Sequence, residues 1–201
     1  MKKNVRGLFR IIEIIKNIFF DLKYGKVLCG TKKTPYKHLG ASDTANTRYS
    51  VLKEIFHHIE INVSDVIADI GCGKGRVINY LLDQGITNKI YGIELDEQIG
   101  LAIKERLKYR SNVEIVIGNV LYNLPLDITI FYMYNPFSRE IMIEFKKILD
   151  MYHNGVGFRI IYYNCIDIDL FEKDERYNIQ KVDFKRGILD HDCIIIERRT
   201  Y

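Results

Sequence analysis

Short hydrophobic runs along the chain alternate with stretches in which apolar residues recur at steps of three and four. The runs predict β-strands at 66–70, 89–94, 113–117, 128–134, 157–164, 179–184 and 193–198. The stepped stretches predict helices at 75–84, from Asp96 to Leu107 and from Ser138 to Asp150, with a short one at 167–171. Alternating strands and helices are typical of an α/β domain with a doubly wound, mainly parallel sheet. The last two strands are close enough in sequence to form an antiparallel edge.

The N-terminal part of the chain has a different pattern. Residues 4–24 predict an amphipathic helix, and residues 24–47, which contain glycine and proline, predict an irregular segment. A further helix is predicted at 48–60. We therefore expect residues 1–47 to form a helical extension with a substrate or lid loop, and residues 48–201 to form the ligand-binding domain.

Composition and charge limit the possible size of the fold and the possible binding partners of the protein. The 201 residues are 47% apolar, which is enough for one α/β domain, and the net charge of +4 is too small to indicate nucleic acid by itself. Residues 1–26, however, hold seven Lys and Arg against two acids. A basic amphipathic helix suits an anionic membrane surface, a partner protein or the chain's own domain, and the sequence leaves these open.

The cysteines and the hydropathy pattern indicate the cellular compartment of the protein. No apolar stretch is long enough to cross a membrane, and the four cysteines are too widely spaced for a zinc site or a disulfide framework. We therefore expect no metal, and a cytoplasmic protein with or without peripheral membrane contact.

Candidate chemistry centres on residues 66–76, VIADIGCGKGR. A strand containing Asp69 leads through a turn with Gly71 and Gly73 into a helix, an arrangement that brings a ligand against backbone N–H groups. Ligands of doubly wound sheets bind beyond the carboxyl ends of the strands. The residues that end or follow the next three strands are therefore also candidates, namely Glu94, Asn119, Asn135, Pro136 and Phe137.

The spacing of Glu94 indicates a nucleoside-containing cofactor. An acid about 20 residues after the first glycine can accept hydrogen bonds from ribose hydroxyls. The nicotinamide-cofactor pattern G-x-G-x-x-G requires a glycine where Arg76 stands. An acid such as Asp69 suits the ammonium group of S-adenosylmethionine better than a pyrophosphate. A nicotinamide-dependent oxidoreductase and a non-catalytic cofactor-binding interaction module are the alternatives.

From Arg48 onward the chain resembles class I S-adenosylmethionine-dependent methyltransferases of the small bacterial type. Four segments carry the resemblance in the family's order: VIADIGCGKGR, IYGIELD, VIGNV and YMYNPF. The resemblance implies a Rossmann-like, seven-stranded methyltransferase fold and S-adenosylmethionine as the cofactor. It also implies cofactor binding by Asp69, Gly71, Gly73, Glu94, Asn119 and Val120. Asn119 stands where the family usually has Asp, and its carbonyl oxygen can still accept a hydrogen bond from the adenine amine.

The fourth segment bears on the methyl acceptor, which the sequence does not identify. Family members that methylate planar amines carry [D/N]-P-P-[Y/F], whereas this chain has Asn135-Pro136-Phe137, one proline short. We expect Asn135 to position the acceptor and Pro136, Phe137 and Tyr49 to contact it, with nitrogen favoured over oxygen. A small molecule or a protein side chain is the expected acceptor. Duplex DNA is not, because base extrusion normally needs additional contact surface.

Overall fold

A central β-sheet organises the protein. The computed structural model describes residues 2–152, 157–182 and 191–198, with side chains from residue 11 onward except that of residue 152. Within these ranges the strands are β1 Ile67–Ile70, β2 Ile90–Glu94, β3 Val113–Ile117, β4 Ile130–Tyr134, β5 Arg159–Tyr163, β6 Tyr177–Lys181 and β7 Cys193–Arg198. The helices are α1 Lys2–Lys23, α2 Tyr49–His57, α3 Arg76–Asp83, α4 Glu97–Arg106, α5 Val120–Asn123, α6 Arg139–Tyr152 and α7 Asp169–Glu172.

The strand order is β3-β2-β1-β4-β5-β7-β6. The neighbours from β3 to β5 are parallel, and β7 pairs antiparallel with both β5 and β6. This confirms the predicted doubly wound, mainly parallel seven-stranded sheet with an antiparallel C-terminal edge. All four residues of β1 are buried, as expected for a central strand covered by helices on both faces. The order in which successive strands are added to the sheet reverses between β1 and β4, and there a crevice opens at the carboxyl ends of the strands.

Most predicted elements lie within a few residues of the observed ones. Asp96 caps α4, because its Oδ1 accepts a hydrogen bond from the Ile99 N–H at 3.0 Å. Strand β6 begins at Tyr177 rather than 179, and the predicted end of that strand at 183–184 lies outside the described residues. The four-residue helix α5 was not predicted, since one turn is too short to show a helical period.

The N-terminal helix α1 packs on the domain through one polar face. Asp21 is fully buried and accepts hydrogen bonds from Arg76 Nε at 3.0 Å and Arg76 Nη2 at 2.6 Å. Tyr49 binds the same face, since its hydroxyl donates to Asp21 Oδ1 and its backbone N–H donates to Asn17 Oδ1, each at 3.0 Å. The helix is thus joined to α2 and α3. Among the described residues no helix is both long and apolar enough to cross a membrane.

Candidate cofactor and acceptor site

A cavity of about 270 Å³ lies at the carboxyl ends of β1 to β5. Seven of the predicted site residues line it, namely Gly71, Glu94, Asn119, Val120, Asn135, Pro136 and Phe137. The structure therefore brings together residues from four different strand ends, as the topology rule requires. Asp69, Gly73 and Tyr49 do not line this cavity, and each has a different environment.

The glycine turn between β1 and α3 has a left-handed backbone. Gly71 and Gly73 have φ values of +68° and +52°, which favour glycine over any residue with a Cβ. A Cβ on Gly73 would lie 2.7 Å from Cγ2 of Thr44. The irregular segment of residues 24–47, here called the N-terminal loop, therefore approaches this turn closely. The turn is held to the neighbouring strand because the Gly71 N–H donates to the Ile93 carbonyl at 2.9 Å.

Glu94 connects the glycine turn to the cavity. Its Oε2 accepts a hydrogen bond from the Gly73 N–H at 2.7 Å, and its Oε1 accepts one from the Asp96 N–H at 2.9 Å. Burial raises the pKa of this carboxyl group, and the backbone hydrogen bonds oppose that effect. Each oxygen retains further acceptor capacity, so Glu94 can hold the turn and still accept hydrogen bonds from ribose hydroxyls.

Asp69 lies at the base of the same turn, almost entirely buried. Its Oδ2 has no hydrogen-bond partner among the residues that the structure describes. Burial, and then the nearby charge of Glu94, raise the pKa of Asp69 well above its usual value. A buried acceptor that lacks a donor fits a site for a cationic group. The predicted role of Asp69 near the methionine ammonium remains a prediction, because its side chain stays outside the cavity lining.

Asn119 has a structural task that the sequence did not show. Its Oδ1 accepts a hydrogen bond from the Leu121 N–H at 2.9 Å and so caps α5. This is the oxygen expected to bind the adenine amine. A carbonyl oxygen accepts two hydrogen bonds, so one position remains for that contact.

The Asn135-Pro136-Phe137 turn forms the opposite side of the cavity. Asn135 has a φ of +38°, and its Oδ1 accepts a hydrogen bond from the Tyr162 hydroxyl at 3.1 Å. The Pro136 carbonyl accepts a hydrogen bond from the Ser42 N–H at 3.0 Å, and this bond joins the turn to the N-terminal loop. The Phe137 ring packs against Phe145, with ring centroids 5.4 Å apart.

Tyr49 lies away from the cavity. Its hydroxyl is bound to Asp21, and its ring stacks on Phe20 with centroids 4.9 Å apart. The prediction that Tyr49 contacts the acceptor therefore finds no support in its position. Asn164, which directly follows β5, does line the cavity and was not predicted. The rule that selected Asn135 after β4 would have selected Asn164 as well.

Known proteins resemble this chain in sequence and in fold. The model of the methyltransferase domain family matches residues 68–131, a range that runs from β1 to the start of β4. Ribosomal RNA small subunit methyltransferase A of Thermotoga petrophila is 28% identical over 138 residues, covering 62% of this chain and 50% of the relative. The chain thus spans about half the length of that relative.

Solved structures share the fold. A methyltransferase from Pyrococcus furiosus has a TM-score of 0.61 at 16% identity and covers 92% of this chain and 98% of its own. An RNA methyltransferase from Salinibacter ruber, in complex with S-adenosyl-L-homocysteine, has a TM-score of 0.57 at 18% identity and covers 77% of this chain and 92% of its own. The family model thus places a methyltransferase domain at residues 68–131, and the solved structures show that the chain has the fold of class I S-adenosylmethionine-dependent methyltransferases.

Proposed function

We propose that the protein transfers the methyl group of S-adenosylmethionine to an amino nitrogen of an RNA base. The observation that carries the proposal is a single cavity lined on one side by Glu94 and Asn119 and on the other by the Asn135-Pro136-Phe137 turn. The names of the ribosomal RNA methyltransferase of Thermotoga petrophila and the RNA methyltransferase of Salinibacter ruber support RNA as the acceptor class.

The acceptor side offers two oxygens that suit an amino group. Asn135 Oδ1 and the Pro136 carbonyl each accept one hydrogen bond within the protein, so each retains a second position for an amine N–H. Bound S-adenosylmethionine would supply an activated methyl group, whose transfer would form the N–C bond from the amine lone pair, leave the C–S pair on sulfur and release one proton from nitrogen to water. The residues need only align the amine, and a strong general base is not required.

The N-terminal loop is part of the proposed site. Its backbone pairs at Ala41 with Phe137, and the Ser138 N–H donates to the Gly40 carbonyl at 2.7 Å. Lys74 Nζ, in the glycine turn, donates to the carbonyls of Cys29 and Gly30 at 3.0 Å and 2.9 Å. We propose that residues 1–47 form an N-terminal helix and lid loop on a methyltransferase domain of residues 48–201, and that these contacts hold the loop against the cavity.

Transfer of labelled methyl groups tests the proposed function. The full chain is incubated with methyl-tritiated S-adenosylmethionine and a cell lysate separated into RNA, protein and small-molecule fractions. We expect label in RNA, released by nuclease as a base-methylated nucleoside, and loss of that label with Asn135→Ala. Label only in protein or small molecules contradicts RNA as the acceptor. Cofactor binding without transfer to any fraction favours a non-catalytic module.

We also propose that the outer face of α1 contacts an anionic membrane surface. Large apolar side chains are exposed along this face, among them Phe19 at 74% and Ile15 at 60%, together with Ile11, Ile12, Ile14 and Leu22. The two acids of the segment point to the domain: Glu13 accepts from the Ser50 hydroxyl at 2.6 Å, and Asp21 is buried. An exposed apolar face in a segment with a net excess of basic residues is typical of helices that lie on anionic lipid.

Vesicle sedimentation tests the membrane contact independently of catalysis. We expect the full chain to sediment with vesicles of phosphatidylcholine and phosphatidylglycerol and not with phosphatidylcholine alone. Phe19→Glu should weaken binding at least about tenfold, because the burial of a large apolar side chain contributes ~1.5–3 kcal/mol. Val63→Glu, at a valine that is 97% exposed, is the matched control. Equal binding by both variants, or a dimer that Phe19→Glu dissociates, contradicts this proposal.

A further inference from the structure

Asn164 and Asn135 share an unusual backbone conformation. Within the described part of the chain they are the two residues other than glycine with positive φ, at +55° and +38°. They follow neighbouring parallel strands whose last residues, Tyr163 and Tyr134, are paired in register. Both asparagines therefore occupy equivalent positions at the edge of the crevice, and both line the cavity. Left-handed residues concentrate at functional sites, where the surrounding structure maintains them.

The side chains of the two asparagines differ in their hydrogen bonds. The Asn135 carboxamide is fixed by the Tyr162 hydroxyl, whereas Asn164 is held through its backbone, because its N–H donates to the Asp192 carbonyl at 2.7 Å. The Asn164 carboxamide makes no hydrogen bond to any other described residue. It presents a donor group and an acceptor oxygen at a site where the fold has already fixed the backbone.

Aromatic rings lie next to this pair. The rings of Tyr134 and Tyr163 are 4.7 Å apart, and the His191 ring lies 5.9 Å and 5.6 Å from them. Tyr134 also lines the cavity. Flat aromatic surfaces beside carboxamides are the means by which proteins bind unstacked RNA bases, through stacking and hydrogen bonds to base edges.

We infer that Asn164 is a positioning residue that hydrogen-bonds the ring edge of the acceptor base, an inference that rests on the proposed RNA methylation. Its donor and acceptor complement an edge on which a ring nitrogen stands beside the amino group. Adenine N7 beside N6 is one such edge, and asparagine is the side chain that reads it bidentately in other nucleic-acid complexes. Cytosine offers a similar edge. On its Watson–Crick edge guanine carries a ring N–H beside its amine, and that edge is mismatched to one carboxamide.

Two substitutions separate this role from a structural one. Asn164→Gly removes the carboxamide but accepts positive φ without strain, so the melting temperature should not fall. Asn164→Asp is nearly isosteric and replaces the donor with an acceptor. Asn178→Asp, at an exposed position on β6, is the matched control. The probe is total bacterial RNA with methyl-tritiated cofactor, and nucleoside analysis identifies the methylated bases.

We expect both Asn164 variants to lose at least about tenfold in kcat/KM for RNA while the Kd for S-adenosylhomocysteine stays within about twofold. The remaining product should contain a larger share of methylation on bases other than the wild-type target. Wild-type rates and products in both variants overturn the inference and leave the proposed function intact. Absence of methyl transfer to RNA by the wild type overturns both.

Discussion

Replacement of Asp21 by alanine would leave a buried cation without its partner. Asp21 is fully buried and accepts hydrogen bonds from both Arg76 Nε and Nη2, from the Tyr49 hydroxyl and from the Leu28 N–H at 2.9 Å. Arg76 is itself 5% exposed, so water cannot replace the lost carboxylate. Removal of one member of a buried ion pair costs about 3–5 kcal/mol, mainly because the other charge stays desolvated.

Urea unfolding of the full chain, followed by circular dichroism, measures this cost. We expect Asp21→Ala to lower the free energy of unfolding by about 3–5 kcal/mol, a large part of the ~5–15 kcal/mol typical of a domain. Glu144→Ala is the control, since Glu144 pairs with Lys147 in the exposed part of α6 and should cost less than about 1 kcal/mol. An effect of Asp21→Ala no larger than that of the control would refute the assignment of Asp21 as the buried anchor of α1.

Three further predictions concern the glycine turn. The folded protein raises the pKa of Asp69 above the ordinary carboxyl value near 4. Without cofactor, the wild type should therefore gain stability relative to Asp69→Asn as the pH falls toward 4. Stability profiles of the two proteins that run parallel from pH 8 to 5 would contradict this. Gly73→Ala should cost about 1–2 kcal/mol in urea unfolding, because it combines positive φ with the Thr44 contact at 2.7 Å. Adding Thr44→Ser to Gly73→Ala should recover only the stability lost to the steric contact. Full recovery would show that the positive φ of residue 73 costs no stability. Lys74→Met should speed protease cleavage in the lid loop, because the carbonyls at 28–30 lose their ammonium partner; unchanged cleavage would contradict that role.

The sequence predicted the sheet well because its central strands leave a simple signal. Strands β1 and β4 are covered on both faces, so their residues form continuous apolar runs that periodicity detects. The contacts of the two faces of α1 were harder to predict, since its sequence suits both packing on the domain and binding to a membrane surface. The structure shows a polar inner contact through Asp21 and an apolar outer face, a distribution that requires knowledge of where α2 and α3 lie.

The site was predictable where it depends on strand ends. Glu94 and Asn135 could be identified because parallel strands bring their carboxyl ends to one edge. The contact between Ser42 and Pro136 has no local signal, because it joins distant segments through backbone atoms that every residue has. The contact between the Tyr49 hydroxyl and Asp21 likewise has no local signal, because it joins residues 28 positions apart.

Calorimetry with S-adenosylhomocysteine and NADH tests the central claim most directly. We predict that the wild type binds S-adenosylhomocysteine and not NADH. Glu94→Gln should weaken that binding roughly tenfold or more, because one oxygen that holds the Gly73 or Asp96 N–H becomes an amide donor. Asn178→Asp should bind like the wild type. Binding of NADH without binding of S-adenosylhomocysteine would contradict the assignment of this cavity to a methyltransferase cofactor.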